Sequence, residues 1–345
     1  MLEKSIQRVM IMNNENLSGK KVFVTGADGF IGSHLIEHLV TLGANVKAMV
    51  YYNSWNEIGW LKDIDKSILD QIEICTGDIR DSERVSDGIK FCEYIFHLSS
   101  LIAIPYSYEA TRSYVDTNVS GALNVLEACK RSESLTRLVH VSTSEVYGSA
   151  QTVPINESHP LIGQSPYSAS KIAADKLAES YNLSFELPVV TARPFNTYGP
   201  RQTARAVIPT IISQVLSGSK KLKLGSLSPT RDFNYAKDTA NGMALLALSE
   251  NAEGQAVNIG TGKEWSIKET VQMILDITGS DAEVISEDNR IRPEKSEVNR
   301  LIADNTKIKS LTSWTDQVTF EEGLQATVNW IEKNMKHFDI NDYAK

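Results

Sequence analysis

The sequence of 345 residues is poor in features that would each define a class of protein. It holds three cysteines, Cys75, Cys92 and Cys129, with no CxxC pair and no Cys/His cluster, so we expect neither a disulfide framework nor a metal site. It also lacks a run of about 18 apolar residues, which excludes the usual kind of membrane-spanning helix. These absences predict a protein of the reducing cytoplasm with no membrane partner.

Glycine, proline and positive charge are also limited. With 20 glycines and 10 prolines, the chain is neither collagen-like nor of low complexity. Its 35 Lys and Arg residues are outnumbered by 43 Asp and Glu residues, which gives a net charge of −8. Non-specific nucleic-acid binders normally present a basic face, so we expect no nucleic-acid partner. An anionic ligand must instead be met by locally placed cations or backbone N–H groups.

What the sequence does contain is a regular alternation of short β-branched runs, several of them almost wholly apolar, with helical stretches, from Lys20 to about Pro194. This pattern predicts an α/β fold with a doubly wound parallel Rossmann sheet. The alternation stops after Pro194 and resumes near Ala240–Leu248. We therefore predict a Rossmann domain over residues 19–195 plus 235–264. We also predict a smaller α/β substrate domain over 196–234 plus 265–345, and a poorly ordered leader over 1–18.

A glycine-rich turn stands where such a fold binds a dinucleotide. Strand Lys21–Thr25 runs directly into Gly26, Gly29 and Gly32, spaced three apart, and a helix follows. Glycine admits a positive φ and lets a pyrophosphate approach the N–H groups of the helix start. Small or polar residues follow the next strands, where an adenosine and a nicotinamide would pass. The predicted dinucleotide contacts are Gly26, Gly29, Phe30, Ile31, Gly32, Asn53, Asp78, Ile79, Leu98, Ser99 and Ser100.

The second strand lacks the acidic residue that holds an NAD ribose, expected about 20 residues after the glycines. It ends Tyr51-Tyr52-Asn53-Ser54, where Asn53 could hydrogen-bond a hydroxyl. No Arg awaits a 2′-phosphate there. We therefore expect NAD, with NADP left open.

A reactive cluster follows the fifth strand. Thr143 stands at the strand end, and Tyr167 and Lys171 follow at the i, i+4 spacing that places two side chains on one helix face. A Lys⁺ beside a phenol favours the phenolate and lowers its pKa. Such a Tyr can remove a hydroxyl proton while hydride leaves the same carbon. We predict Thr143, Tyr167 and Lys171 as catalytic residues.

Over about residues 20–332 these motifs resemble the extended short-chain dehydrogenase/reductase family, whose members act on nucleotide-diphosphate sugars. The late motifs Arg193-Pro194-x-Asn196, Arg231-Asp232-Phe233 and Arg292-Pro293 carry the resemblance further. It implies a tightly bound NAD, a nucleotide-diphosphate sugar substrate and a homodimer. It adds Asn118 and Pro194, with Tyr167 and Lys171, to the cofactor contacts. On the substrate side it implies Ser144, Asn196, Arg205, Val207, Arg231 and Arg292.

Glu145 distinguishes between branches of that family. The 4,6-dehydratases carry a carboxylate here, which removes the C5 proton and assists loss of the C6 hydroxyl as water. The dehydratases of dTDP-glucose carry Asp before this Glu, whereas this chain has Ser144, as in the GDP-mannose dehydratase type. The overall pattern most resembles bacterial GDP-N-acetylglucosamine 4,6-dehydratases of legionaminic acid synthesis.

Three alternatives stay open. UDP-glucuronate decarboxylases also carry Thr-Ser-Glu, and Arg231 or Arg205 could hold their C6 carboxylate. A nucleotide-diphosphate-sugar 4-epimerase would not need Glu145. Outside enzymes, a non-catalytic cofactor-binding scaffold is possible because fold alone never establishes catalysis.

Overall fold

The structure is a computed structural model and describes residues 16–287 and 298–338. Its centre is a sheet of seven strands: β1 (Lys21–Thr25), β2 (Asn45–Tyr51), β3 (Glu73–Gly77), β4 (Tyr94–His97), β5 (Arg137–Val141), β6 (Val189–Pro194) and β11 (Ala256–Ile259). Their order is β11-β6-β5-β4-β1-β2-β3, and every neighbouring pair is parallel. The predicted doubly wound Rossmann sheet is confirmed.

The central strands lie in the interior of the protein. Strands β4, β5 and β6 are buried along their whole length, as expected for parallel strands whose two faces are both covered. The chain order reverses between β1 and β4. Crevices open at such reversals, beyond the carboxyl ends of the strands, and this is where α/β sheets bind ligands.

The helices lie between and around these strands. They are α1 (Phe30–Thr41), α2 (Lys66–Leu69), α3 (Ser82–Ile89), α4 (Ile104–Glu109), α5 (Thr111–Tyr114), α6 (Gly121–Lys130), α7 (Pro166–Phe185), α8 (Val207–Leu216), α9 (Ala236–Leu248), α10 (Ile267–Thr278), α11 (Thr306–Leu311) and α12 (Phe320–Lys333). Short 3₁₀ turns occupy Gly59–Asp63, Ser144–Tyr147, Glu250–Ala252 and Met335–His337, and a π-helical stretch, Val115–Ser120, leads into α6.

A smaller unit is built from short strands: β7 (Asn196–Tyr198), β8 (Lys221–Leu224), β9 (Thr230–Arg231), β10 (Phe233–Tyr235), β12 (Trp265–Ser266), β13 (Glu283–Ser286) and β14 (Arg300–Leu301). They pair as β10-β7, β12-β9-β14 and β13-β8. Helices α8, α10 and α12 pack with them around a hydrophobic core separate from that of the large sheet.

The chain passes between the two units more than once. At one of these passages a buried carboxylate accepts hydrogen bonds from neighbouring segments. Asp232, between β9 and β10, is fully buried. Its oxygens accept the N–H groups of Thr261 and Gly262 at 2.9 Å each and that of Ala303 at 3.1 Å. One side chain therefore joins three chain segments that lie far apart in sequence.

The start of the packed chain lies earlier than predicted. Leu17 was assigned to a poorly ordered leader, but it is fully buried in the core of the large sheet. Residues 1–15, the rest of that leader, lie outside the described residues. Among the helices of the described part, none is both long and apolar enough to cross a membrane.

Candidate active site

A cavity of about 1160 Å³ opens at the carboxyl ends of the central strands, between the large sheet and the smaller unit. The glycine turn, the ends of β4, β5 and β6, and the segments around β9 and α8 line it. The volume exceeds that of an ordinary small-ligand pocket, about 300–1,000 Å³. It leaves room for a dinucleotide and a second large ligand.

The glycine turn forms a cradle that side chains would fill. Gly26 has a φ of +68°, and a Cβ there would lie 2.8 Å from the Ser99 nitrogen. A Cβ on Gly32 would lie 2.1 Å from the Gly26 carbonyl oxygen. Helix α1 begins after Gly29 with no side-chain cap and no acidic residue in its first turn. Its first N–H groups can therefore meet a pyrophosphate, and the site fits a dinucleotide.

Most of the other predicted cofactor contacts also reach this cavity. They are Phe30, Ile31, Asp78, Ile79, Leu98, Ser99, Ser100, Tyr167 and Pro194. Asp78 is engaged by Arg80, whose Nη2 lies 2.5 Å from Asp78 Oδ2. This hydrogen-bonded guanidinium holds the pKa of Asp78 below its ordinary value. An adenine edge would thus meet an ionised, already paired carboxylate.

Asn53 does not line the cavity, contrary to the prediction. Its amide folds its own loop instead: Nδ2 donates to the Glu57 carbonyl oxygen at 2.8 Å, and Oδ1 accepts the Glu57 N–H at 3.0 Å. Side chains of Asn commonly close such local turns. The spacing of about 20 residues from the glycines therefore pointed to a side chain that closes its own loop.

Asn118 is also absent from the cavity lining. It is buried, accepts the Leu101 N–H at 2.8 Å, and donates to the Leu101 carbonyl oxygen at 3.0 Å and to Ser170 Oγ at 2.9 Å. It fastens the cavity wall at Leu101 to helix α7.

Local caps place the reactive side chains. Thr143 lies two residues after the end of β5, and its hydroxyl oxygen accepts the Glu145 N–H at 3.2 Å, which starts the turn Ser144–Tyr147. Helix α7 begins after Ser165, which exchanges capping hydrogen bonds with Ser168. Thr143, Ser144, Glu145 and Tyr167 line the cavity together.

Burial controls the ionisation of the Tyr–Lys pair. Burial raises the pKa of Tyr167, Thr143 opposes this by hydrogen bonding to the phenol, and Glu145 adds to it. Burial lowers the pKa of Lys171 to about 8, against the opposing charge of Asp175. Lys171 lies behind the cavity wall, where Nζ donates to the Val141 carbonyl oxygen at 2.7 Å. The expected lowering of the phenol pKa by Lys171 is therefore not found, because burial raises the pKa of Tyr167 by more than the Thr143 hydrogen bond lowers it.

The Glu145 carboxylate is available for chemistry. Its side chain is half-buried at the cavity wall. Its oxygens accept no hydrogen bond from any other residue that the structure describes. A purely structural carboxylate at the start of a turn would be engaged by the backbone. This one faces the same space as the Tyr167 phenol.

Four of the predicted substrate contacts also line the cavity: Asn196, Arg205, Val207 and Arg231. Arg292 lies outside the described residues. Asn196 Oδ1 is buried with no hydrogen-bond partner within the described ranges. Leaving a buried oxygen unpaired costs about 1–3 kcal/mol, so a ligand donor at this point is favoured.

The structure also adds residues that the sequence did not indicate. Asp28, Trp60, Lys62, Gln202 and His337 line the cavity. Asp28 stands inside the glycine motif and could have been noticed there. Nothing in the pattern connects His337, in the last turn described, with Trp60, although their rings lie 5.4 Å apart.

The model of a family described as GDP-mannose 4,6 dehydratase matches residues 23–327. A trifunctional protein of Arabidopsis thaliana, named as a UDP-glucose 4,6-dehydratase with epimerase and reductase activities, is 30% identical over 94% of the chain. The chain spans only 49% of that protein's length. A dTDP-glucose 4,6-dehydratase of Actinoplanes is 31% identical over 91% of the chain and 98% of its own length. A UDP-N-acetyl-alpha-D-glucosaminuronate decarboxylase of Bacillus cytotoxicus is 29% identical over 91% and 98%.

The similar solved structures include both dehydratases and epimerases. The dTDP-glucose 4,6-dehydratase DesIV of Streptomyces venezuelae, with NAD bound, superposes with a TM-score of 0.80 at 29% identity, over 92% of this chain and 98% of that one. A variant UDP-glucuronic acid 4-epimerase of Bacillus cereus, in complex with NAD, gives a TM-score of 0.83 at 27% identity, over 91% and 99%.

Proposed function

The chain belongs to the family of GDP-mannose 4,6-dehydratases, within the extended short-chain dehydrogenase/reductases, and from that premise we propose that it is a 4,6-dehydratase of a nucleotide-diphosphate hexose. The observation that carries this proposal is the unengaged Glu145 carboxylate, which shares the cavity with Thr143 and Tyr167. A 4-epimerase needs no carboxylate at this point, whereas a dehydratase needs one to remove a proton from C5. GDP-N-acetylglucosamine is the substrate we propose.

NAD is the cofactor we propose, tightly bound along the glycine cradle, and when bound it would supply the acceptor and donor of hydride. The chain's own residues then handle protons. Tyr167 takes the proton of the C4 hydroxyl, aided by the Thr143 hydroxyl beside it. Lys171 supports Tyr167 from behind the cavity wall, as a cation below about pH 8.

Glu145 carries out the elimination in this scheme. The 4-keto group acidifies C5–H, and the carboxylate removes that proton. The C6–O bond then breaks, the hydroxyl leaves with a proton as water, and a double bond forms between C5 and C6. Ser144, Asn196, Arg205, Val207 and Arg231 contact the sugar nucleotide, with Arg292 as a further contact from the segment outside the described residues. The double bond would be lost when C6 takes back, from the bound cofactor, the hydride first removed from C4, and C5 takes up a proton in place of the one it lost. The product is a 4-keto-6-deoxy sugar nucleotide, which we assign to legionaminic acid synthesis in the cytoplasm.

We propose a homodimer formed through helices α6 and α7. Val115, just before α6, is 43% exposed, and Leu123, on α6, is 38% exposed. They leave apolar surface for a second copy of the chain.

A UDP-glucuronate decarboxylase is the second candidate, and Arg205 favours it. Arg205 lines the cavity, lies near Tyr114 and forms no ion pair within the part of the chain that the structure describes. An unpaired guanidinium is suited to hold a carboxylate at C6. The same cation could instead meet the substrate diphosphate, which is the role we assign to it.

Mass spectrometry of products from a panel of GDP-, UDP-, CDP- and dTDP-hexoses and hexuronic acids tests the proposal. Dehydration gives a product lighter by about 18 mass units, and Glu145→Gln should abolish it. Glu133→Gln, an exposed Glu before β5, is the matched control and should be as active as the parent. Release of CO₂ from a hexuronic acid would instead establish the decarboxylase. A product of unchanged mass that Glu145→Gln still forms would establish the epimerase. A folded protein that turns over none of the sugars would favour the non-catalytic cofactor-binding scaffold.

A further inference from the structure

A carboxylate stands at the end of β2, although the strand itself supplies none. It comes from Asp28, in the middle of the glycine motif. Asp28 Oδ2 accepts the backbone N–H of Tyr51, the last residue of β2, at 3.1 Å. Asp28 lines the cavity. The ends of β1 and β2 are adjacent because these strands pair in parallel, so a side chain from the first turn reaches the second strand end.

The backbone of Asp28 is held from the opposite side. The Trp60 N–H donates to the Asp28 carbonyl oxygen at 3.0 Å. Gly59 approaches so closely that a Cβ there would lie 2.4 Å from that oxygen, and its φ is +56°. The turn Gly59–Asp63 therefore fixes the residue from which the carboxylate projects. A fixed carboxylate discriminates between ligands better than a mobile one, because it cannot swing away from a repelled group.

The cations near Asp28 are already paired with other carboxylates. Two cations line this end of the cavity, and each has an acidic partner: Arg80 pairs with Asp78 at 2.5 Å and Lys62 with Glu57 at 3.4 Å. Asp28 forms no ion pair with any described residue. Burial raises the pKa of Asp28, against the Tyr51 N–H that lowers it. A ligand that donates hydrogen bonds to this carboxylate would offset its desolvation, and a ligand that brings negative charge would be opposed.

We propose that Asp28 accepts the hydroxyl groups of the adenosine ribose and rejects a 2′-phosphate, so that the protein binds NAD in preference to NADP. This inference rests on the dinucleotide site of the proposed function. It assigns the cofactor choice to a residue of the glycine turn instead of the end of the second strand.

Binding of NAD and of NADP to the full chain, freed of bound cofactor, tests it by isothermal titration calorimetry without substrate. We expect the parent to prefer NAD. Asp28→Asn keeps an oxygen for the Tyr51 N–H and removes the charge, so the NAD-to-NADP ratio of affinities should fall roughly 10- to 100-fold. Asp63→Asn, an exposed carboxylate of the neighbouring turn that does not line the cavity, should leave the ratio unchanged.

Thermal unfolding of each variant shows whether it is folded, and Asp28→Ser replaces Asp28→Asn if the latter is not. An unchanged ratio in a folded variant overturns the assignment, as does a parent that prefers NADP, and either result leaves the proposed reaction standing. A folded parent that binds neither dinucleotide overturns the proposed function together with this inference.

Discussion

Replacing Asp175 by Asn should destabilise the protein strongly although it hardly changes the shape of the side chain. Asp175 is one helical turn beyond Lys171 on α7 and is 3% exposed. Its Oδ2 lies 3.0 Å from Nη2 and 3.1 Å from Nε of Arg193, which is itself 5% exposed. Its Oδ1 lies 3.3 Å from Nε2 of His140. The substitution therefore leaves a buried guanidinium without its counter-charge.

The size of the loss follows from burial. Removing one partner of a buried ion pair costs about 3–5 kcal/mol, because the remaining charge stays out of water. The free energy of unfolding of an ordinary domain is about 5–15 kcal/mol, so the variant should lose a large share of its stability. The exposed pair of Lys220 and Asp281 provides the control. Both side chains are mostly in solvent, so Asp281→Asn should not change the free energy of unfolding measurably.

Urea unfolding followed by circular dichroism measures both variants. A loss below about 1 kcal/mol in Asp175→Asn, within the range of exposed pairs, would refute the reasoning from burial. The pH dependence provides a second check. Burial raises the pKa of Asp175, but His140 and Arg193 outweigh it and hold that pKa below its ordinary value. The stability that the Asp175 carboxylate contributes is thus fully present above the ordinary pKa of Asp, and it is lost as the pH falls through the lower pKa of the folded state. The difference in the free energy of unfolding between the parent and Asp175→Asn should therefore become smaller in acid.

Three further predictions concern the cavity. Gly32→Ala should abolish NAD binding in equilibrium dialysis, because the new Cβ would lie 2.1 Å from the Gly26 carbonyl oxygen; retained affinity would show that the turn can move. Tyr167→Phe should lower turnover by about 10²- to 10⁴-fold, the usual worth of a proton-transfer group, with an unchanged melting temperature. Turnover should fall as pH rises through about 8, because burial places the Lys171 pKa there and the neutral amine no longer supports the phenolate. A rate that is equal on both sides of that pH would contradict this role.

The parts of the site that are local in sequence could be predicted, and those made by distant contacts could not. The glycine cradle is a strand, a turn and a helix in succession, so its motif fixes its geometry. Tyr167 and Lys171 lie on one helix, so their spacing gave their common face. The role of Asp28 depends on a hydrogen bond to Tyr51, which becomes visible only once β1 and β2 pair.

Electrostatics were the weakest part of the prediction. The i, i+4 spacing correctly related Tyr167 to Lys171, but it contained no information on burial. Desolvation moves both pKa values against the charged forms, and this reversed the expected sign for the phenol. Asn53 was misassigned for a related reason, because spacing along the chain cannot tell a loop-closing amide from one that faces a cavity.

The repeated crossing of the chain between its two units bears on how the protein can be engineered. Strand β11 belongs to the large sheet, yet β10 before it and β12 after it belong to the smaller unit. Helix α11, later in the chain, also packs in the core of the large sheet through Ile308, and α12 then returns to the smaller unit. A chimera that borrows the smaller unit of a relative must therefore exchange several segments at once. The joined segments of the two parent proteins must also keep the three N–H groups that donate to Asp232. Otherwise the junctions will leave a buried carboxylate without hydrogen bonds.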